Sequence, residues 1–130
     1  MLGKALSLCD RLVSDSLKID FLAHVPTLPA WVFDDEDRLW LREARVISLA
    51  FGHEALYPRF QFDAAFQPRP VIAQILAALP REIGAWPTAL WFASANTALE
   101  GRRPMDGLDD GADVGAAARG LECRLSQERA

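Results

Sequence analysis

Cysteine and histidine are scarce in this 130-residue chain, with two of each. Cys9 and Cys123 stand at opposite ends with no Cys-x-x-Cys spacing. That removes zinc-ribbon and dithiol redox motifs and leaves a buried, reduced Cys9 and an incidental Cys123. His24 and His53 lie in no His-Glu-x-x-His and beside no cysteine pair, so no zinc site is expected. They read as a helix-end residue and a solvated turn residue. Long apolar runs are missing too. Ala89–Ala93 is as long as any, at five residues, against the roughly 20 that a spanning helix needs. Asp10 and Asp15 interrupt the stretch that a signal-peptide core would require, so a cytoplasmic location without membrane contact is expected.

An excess of basic charge is the next absence. The net charge is −4, and residues 1–62 and 63–130 each carry seven Lys/Arg against nine Asp/Glu. Neither half is a basic nucleic-acid face, although Arg38, Arg42 and Arg45 form a local stripe that could touch phosphates. Catalytic vocabulary is thin. There is no Gly-x-Ser-x-Gly elbow, and the glycines between Gly101 and Gly120 make neither a phosphate loop nor a dinucleotide fingerprint. Asp109–Asp113 fails as a calcium loop because the twelfth position from Asp109 is Gly120 rather than Glu. The chain is read as a non-enzyme with no catalytic residue, metal or cofactor.

What is present is an ordinary globular composition, 51% hydrophobic and 25% charged, at the length of one domain. Leu2, Ala5, Leu6, Cys9, Leu12, Val13 and Leu17 recur at three- and four-residue steps, which predicts a helix over 2–22. It should end before Pro26, with 26–29 as a rigid connector. Asp34-Asp35-Glu36-Asp37 reads as the cap and first turn of a helix running through Arg45, with Leu39, Trp40 and Ala44 inward. Residues 45–51 and 55–62 flank Gly52-His53-Glu54 as a β-hairpin. Pro58 marks the second strand as an edge, or as broken there. Pro70 opens a helix with Val71, Ile72, Ile75, Leu76 and Leu79 inward, stopping at Pro80. Pro87 opens another to about Ala95, and Pro104 a short turn to Leu108. A last helix runs from a capping Asp113 to about Gln127, with Val114, Ala117, Ala118, Leu121 and Leu125 inward. The fold expected is mainly α: a small helical domain with one β-hairpin packed on the helices. Residues 1–45 are an N-terminal helical region, and 46–130 are the hairpin plus a helical domain.

The most unusual stretch runs from Trp91 to Leu108. Asn96 tolerates the left-handed geometry of a helix end, Gly101 permits backbone denied to other residues, and Asp106 can cap a first turn. Arg102 and Arg103 sit in the loop, where a guanidinium can reach an acidic or phosphate-like site. This segment resembles the signature of the Xre/MbcA/ParS toxin-binding domain. The matching pieces are a Trp-bearing helix (Trp91), Asn96, Leu99-Glu100-Gly101-Arg102-Arg103-Pro104 and Met105-Asp106-Gly107-Leu108. Tyr57-Pro58-Arg59-Phe60-Gln61-Phe62-Asp63 resembles a second element of those proteins, and the likeness covers about residues 42–125. It departs where the family often has Pro beside the Asn, here Ala95 and Thr97, and a second Gly, here Glu100.

The resemblance implies an antitoxin of a type II toxin–antitoxin pair. Its cognate partner would be a RES-type toxin that destroys NAD⁺, or a related ADP-ribosylating enzyme, inhibited by steric cover. The covering surface would be Asn96–Leu108 plus the C-terminal helix, with Trp91, Asn96, Leu99, Gly101, Arg102, Arg103, Pro104, Met105, Asp106 and Leu108 as partner-binding residues. Relatives often add an N-terminal helix-turn-helix that binds operator DNA, and often dimerise. Residues 1–45 would be a degenerate helix-turn-helix of this kind, so operator DNA through Arg38, Arg42 and Arg45, and a homodimer through the first helix, are the further partners expected. A DNA-binding autoregulator and an unrelated interaction module are the alternative readings.

Overall fold

The computed structural model describes residues 13–79 and 83–129; for residue 110 and residues 121–129 it describes the backbone alone. The described residues form five α-helices and a small three-stranded antiparallel sheet, which is the mainly-α architecture with a hairpin that the composition predicts.

Helix α1 (Asp15–His24) is capped by Ser14, whose Oγ accepts from the Leu17 N–H at 3.2 Å. A helix unbroken from residue 2 is therefore excluded, because Ser14 is extended and outside it. Residues 1–12, which carry most of the expected stripe, lie outside the described residues. Leu17 is 50% exposed, and Phe21 is the α1 side chain that enters the core. The helix stops where Val25 turns extended ahead of Pro26.

Residues 27–29 are not a bare connector. They form strand β1 (Thr27–Pro29), which pairs with β3 (Glu54–Pro58), while β2 (Leu49–Phe51) pairs with the other side of β3 across the Gly52-His53 turn. β3 is thus central rather than an edge. Pro58 is tolerated because it is the last residue of the strand, opposite Thr27. The sheet ties residues 27–29 to 54–58, so a boundary at 45 does not separate two packing units.

After β1 a 3₁₀ turn (Ala30–Phe33) leads into α2 (Glu36–Arg42). The acidic run there does not cap as expected. Asp34 and Asp35 both adopt positive φ, 45° and 71°, and the Asp35 side chain makes no capping bond. Asp and Asn are the side chains that enter this region at least cost, so the run reverses the chain instead. α2 ends at Arg42, not Arg45, and Leu39 and Ala44 are exposed while Trp40 is buried.

The Tyr57–Asp63 segment is the hinge of the packing. Gln61, fully buried, accepts from the Ile47 N–H at 2.6 Å and donates from Nε2 to the carbonyls of Ile47 (3.0 Å) and Pro58 (3.3 Å). Its amide does for Ile47 what a neighbouring strand would do. Tyr57 donates its hydroxyl to buried Asp37 at 2.6 Å. Phe62 joins Phe33, Trp40, Val46 and Tyr57 in an aromatic core on one side. Phe60 meets Phe92 at 5.0 Å on the other.

The main core lies among the helices. α3 (Pro70–Ala78) begins at Pro70 as predicted and buries Ile72 and Ile75. α4 (Ala85–Ala93) starts two residues ahead of Pro87, which sits in its first turn. Trp86 of α4 packs edge-on against Phe21 at 5.6 Å and donates its indole N–H to the Ala50 carbonyl at 3.0 Å, so α1, the hairpin and α4 share one cluster. α5 (Gly111–Arg129) starts at Gly111 rather than at a capping Asp113, and buries Val114, Ala117 and Ala118. Leu121 and Leu125, also expected inward, lie among the residues whose side chains are not described. The early start follows from packing. A Cβ on residue 111 would stand 2.8 Å from the Val71 Cγ2, so the glycine lets the helix begin against α3.

Candidate functional site

The segment between α4 and α5 is built from three consecutive 3₁₀ turns, Thr97–Leu99, Pro104–Asp106 and Leu108–Asp110. Ser94 ends α4 in extended geometry, with its hydroxyl donating to the Leu90 carbonyl at 2.6 Å. Asn96 is extended too (φ −124°), so it is not a left-handed helix end. It caps the first 3₁₀ turn instead: Oδ1 accepts from the Ala98 N–H at 2.9 Å. Its backbone closes the loop, with N–H donating to the Arg102 carbonyl (3.0 Å) and C=O accepting from Leu99 (3.0 Å) and Gly101 (2.9 Å). The left-handed residues are Glu100 (φ 59°) and Gly101 (φ 86°).

Glu100 therefore stands in a conformation that costs an L-residue about 1–2 kcal/mol. Glu100→Gly is expected to stabilise the protein by about 1 kcal/mol, the relief of strain being partly offset by the glycine's unfolded-state entropy. A thermal melt raised by about 3–5 °C would show it, and an unchanged or lower midpoint would refute it.

The signature residues divide by burial. Asn96, Leu99, Pro104 and Leu108 are buried and hold the fold. Gly101, Arg102 and Asp106 are exposed, and Trp91, Arg103 and Met105 are half-buried. Trp91 meets Phe92 edge-on at 5.2 Å, and its indole N–H is buried with no hydrogen-bond acceptor among the described residues. The two arginines differ. Arg103 is clamped by Asp106, Nε to Oδ2 at 2.7 Å and Nη2 to Oδ1 at 3.1 Å, and this bond raises its already high pKa further. Arg102 donates from Nε to the Leu99 carbonyl at 3.3 Å and stays exposed. A second ion pair, Arg69 to Asp109 at 2.9 Å, fastens the far end of the loop to the residue that caps α3.

Beside the loop, α1 and α4 form a groove of about 420 Å³, lined by Leu17, Phe21, His24, Leu90, Ser94 and Arg103 among others. With Leu17 exposed on α1, the loop adjoins a partly apolar surface that the motif does not reveal, since α1 is some 80 residues away in sequence. Among the described residues no three His, Cys, Asp or Glu side chains are grouped to hold a metal ion, and no helix is long and apolar enough to cross a membrane.

Arg38 and Arg42 lie on α2, and Arg45 in the segment that follows. Arg38 pairs with Asp35 at 3.6 Å and Arg45 with Glu43 at 3.7 Å. The loop thus carries Arg102 on an exposed surface and adjoins the α1–α4 groove. No protein-family model, curated protein or solved structure matches the chain at a significant level.

Proposed function

We propose that this protein is an antitoxin that binds a RES-type, NAD⁺-degrading toxin and inhibits it by steric cover, using the Asn96–Leu108 loop and the helix α5 that continues from it. The observation that supports this reading is the preformed loop. Asn96 closes it through its side chain and three backbone bonds, and Arg102 is exposed upon it. A loop ordered before binding loses little conformational freedom on docking, which favours tight cover of a pocket. An exposed arginine on it suits the acidic and hydrogen-bonding groups that a pyrophosphate-binding pocket presents. Leu17, exposed on α1, offers an apolar contact for self-association.

A protein partner is favoured over operator DNA because two of the three stripe arginines are already paired with carboxylates and α2 opens on Glu36 and Asp37.

The test is co-expression with a candidate RES-domain enzyme, followed by co-purification and an NAD⁺-consumption assay. A complex that suppresses NAD⁺ loss is expected, and Arg102→Glu should weaken inhibition about tenfold, more than Arg102→Gln, which loses the same bond to the Leu99 carbonyl without reversing the charge. Failure to rescue growth, with no complex recovered, would overturn the proposal.

A further inference from the structure

Away from the loop, the segment that follows α2, the second half of α3 and the start of α4 enclose an open cleft of about 770 Å³. None of the residues Asn96–Leu108 lines it. The volume falls in the range of small-molecule sites, roughly 300–1,000 Å³. Its depth comes from small side chains: Ala73 and Ala77 on α3, and Gly84 and Ala85 at the start of α4, leave room beside the backbone, while Val46 and Leu76 supply apolar wall.

Two polar side chains of the described lining face partners of their own. Thr88 donates its hydroxyl to the Gly84 carbonyl at 2.6 Å, and Glu43 lies 3.7 Å from the Arg45 guanidinium. Arg42 differs from them. It is exposed and lines the cleft, and it has no ion-pair or hydrogen-bond partner among the described residues. An apolar trough with an uncommitted guanidinium among its described lining residues suits a ligand with an apolar body and an anionic end, since the guanidinium forms a forked, charge-assisted bond to a carboxylate.

We infer that this cleft is a binding site for a linear apolar monocarboxylate, its chain lying along Ala73, Ala77 and Gly84 and its carboxylate on Arg42. The small apolar side chains of the trough favour an alkyl chain, and the planar Arg42 guanidinium favours a carboxylate. The inference is independent of the antitoxin reading, since it involves neither the loop nor α5.

Decanoate is the probe, added to the full-length protein below its micellar concentration and followed by calorimetry and by heteronuclear NMR. One saturable site is expected, with shifts confined to the three cleft segments. Arg42→Gln should weaken binding about tenfold, and decanol should bind the wild type and Arg42→Gln equally weakly. Ala77 is exposed, so Ala77→Trp fills the trough without entering the core and should abolish binding at an unchanged melting temperature. If Ala77→Trp melts early, the NMR map on the wild type and the Arg42→Gln comparison still decide. No saturable binding, shifts scattered over the surface, or equal affinity in Arg42→Gln would overturn the inference. So would a wild-type dimer that decanoate cannot enter and that Ala77→Trp splits, since the cleft would then belong to a second copy.

Discussion

Gln61→Leu is expected to destabilise the protein by about 3–5 kcal/mol, a large share of what a domain of this size possesses. Leucine has nearly the same volume, so little cavity is created. The loss is of bonding. The Ile47 N–H and C=O and the Pro58 C=O each lose a partner at a site with no access to water, and an unpaired buried polar group costs about 1–3 kcal/mol. Gln61→Glu separates this account from simple packing. At pH 7 its carboxylate would still accept from Ile47 N–H, but its second oxygen would face two carbonyls. At pH 4 a proton restores one donor, so this variant should recover part of its stability on acidification relative to wild type. Chemical denaturation at both pH values measures it; a Gln61→Leu variant within about 1 kcal/mol of wild type would refute the role assigned to the amide.

Tyr57→Phe should cost about 2 kcal/mol at pH 7, because it leaves the buried Asp37 carboxyl without the hydroxyl that reaches it at 2.6 Å. Burial, and then the hydrogen bond to Asp37 and its negative charge, hold the Tyr57 pKa well above the ordinary tyrosine value. The folded state thus binds the phenolic proton more tightly than the unfolded chain does. The stabilisation is complete below the unfolded value of about 10 and is lost as pH rises from there through the folded pKa. Wild type should therefore lose stability more steeply above about pH 10 than Tyr57→Phe, and the gap between them should narrow. Parallel melting curves from pH 8 to 11 would contradict this.

Much of the helical frame could be read from residue spacing, because Pro70 and the Ile72/Ile75 face carry both a start signal and a period. The hairpin turn was legible for the same reason, with Gly52 at φ 62° where a side chain is disfavoured. β1 was not, since three residues containing a proline show no alternation, and its partner lies almost 30 residues downstream. The Asp34–Asp37 run misled because aspartate serves both helix caps and left-handed turns, and local sequence does not distinguish them. In the candidate site, Gly101 and Pro104 announced a loop. That Asn96 caps forward, not backward, depends on where α4 stops. The cleft left no trace in the sequence, because its walls come from three separate segments and its character comes from what Arg42 does not touch. Gln61 was quoted as part of a motif, yet nothing in its neighbourhood says that a glutamine would be wholly enclosed.

The central position of β3 has a consequence for the order in which the molecule can be made. A chain leaving the ribosome exposes β1, the Asp34-Asp35 reversal and α2 before any of their partners exist. Strand pairing to Thr27–Pro29, the hydroxyl for Asp37 and the amide for Ile47 all arrive with residues 54–61. These earlier segments must therefore wait, unassembled, until residues 54–61 have cleared the exit tunnel, and a pause placed far enough downstream for those residues to have emerged should assist maturation more than one placed before codon 54.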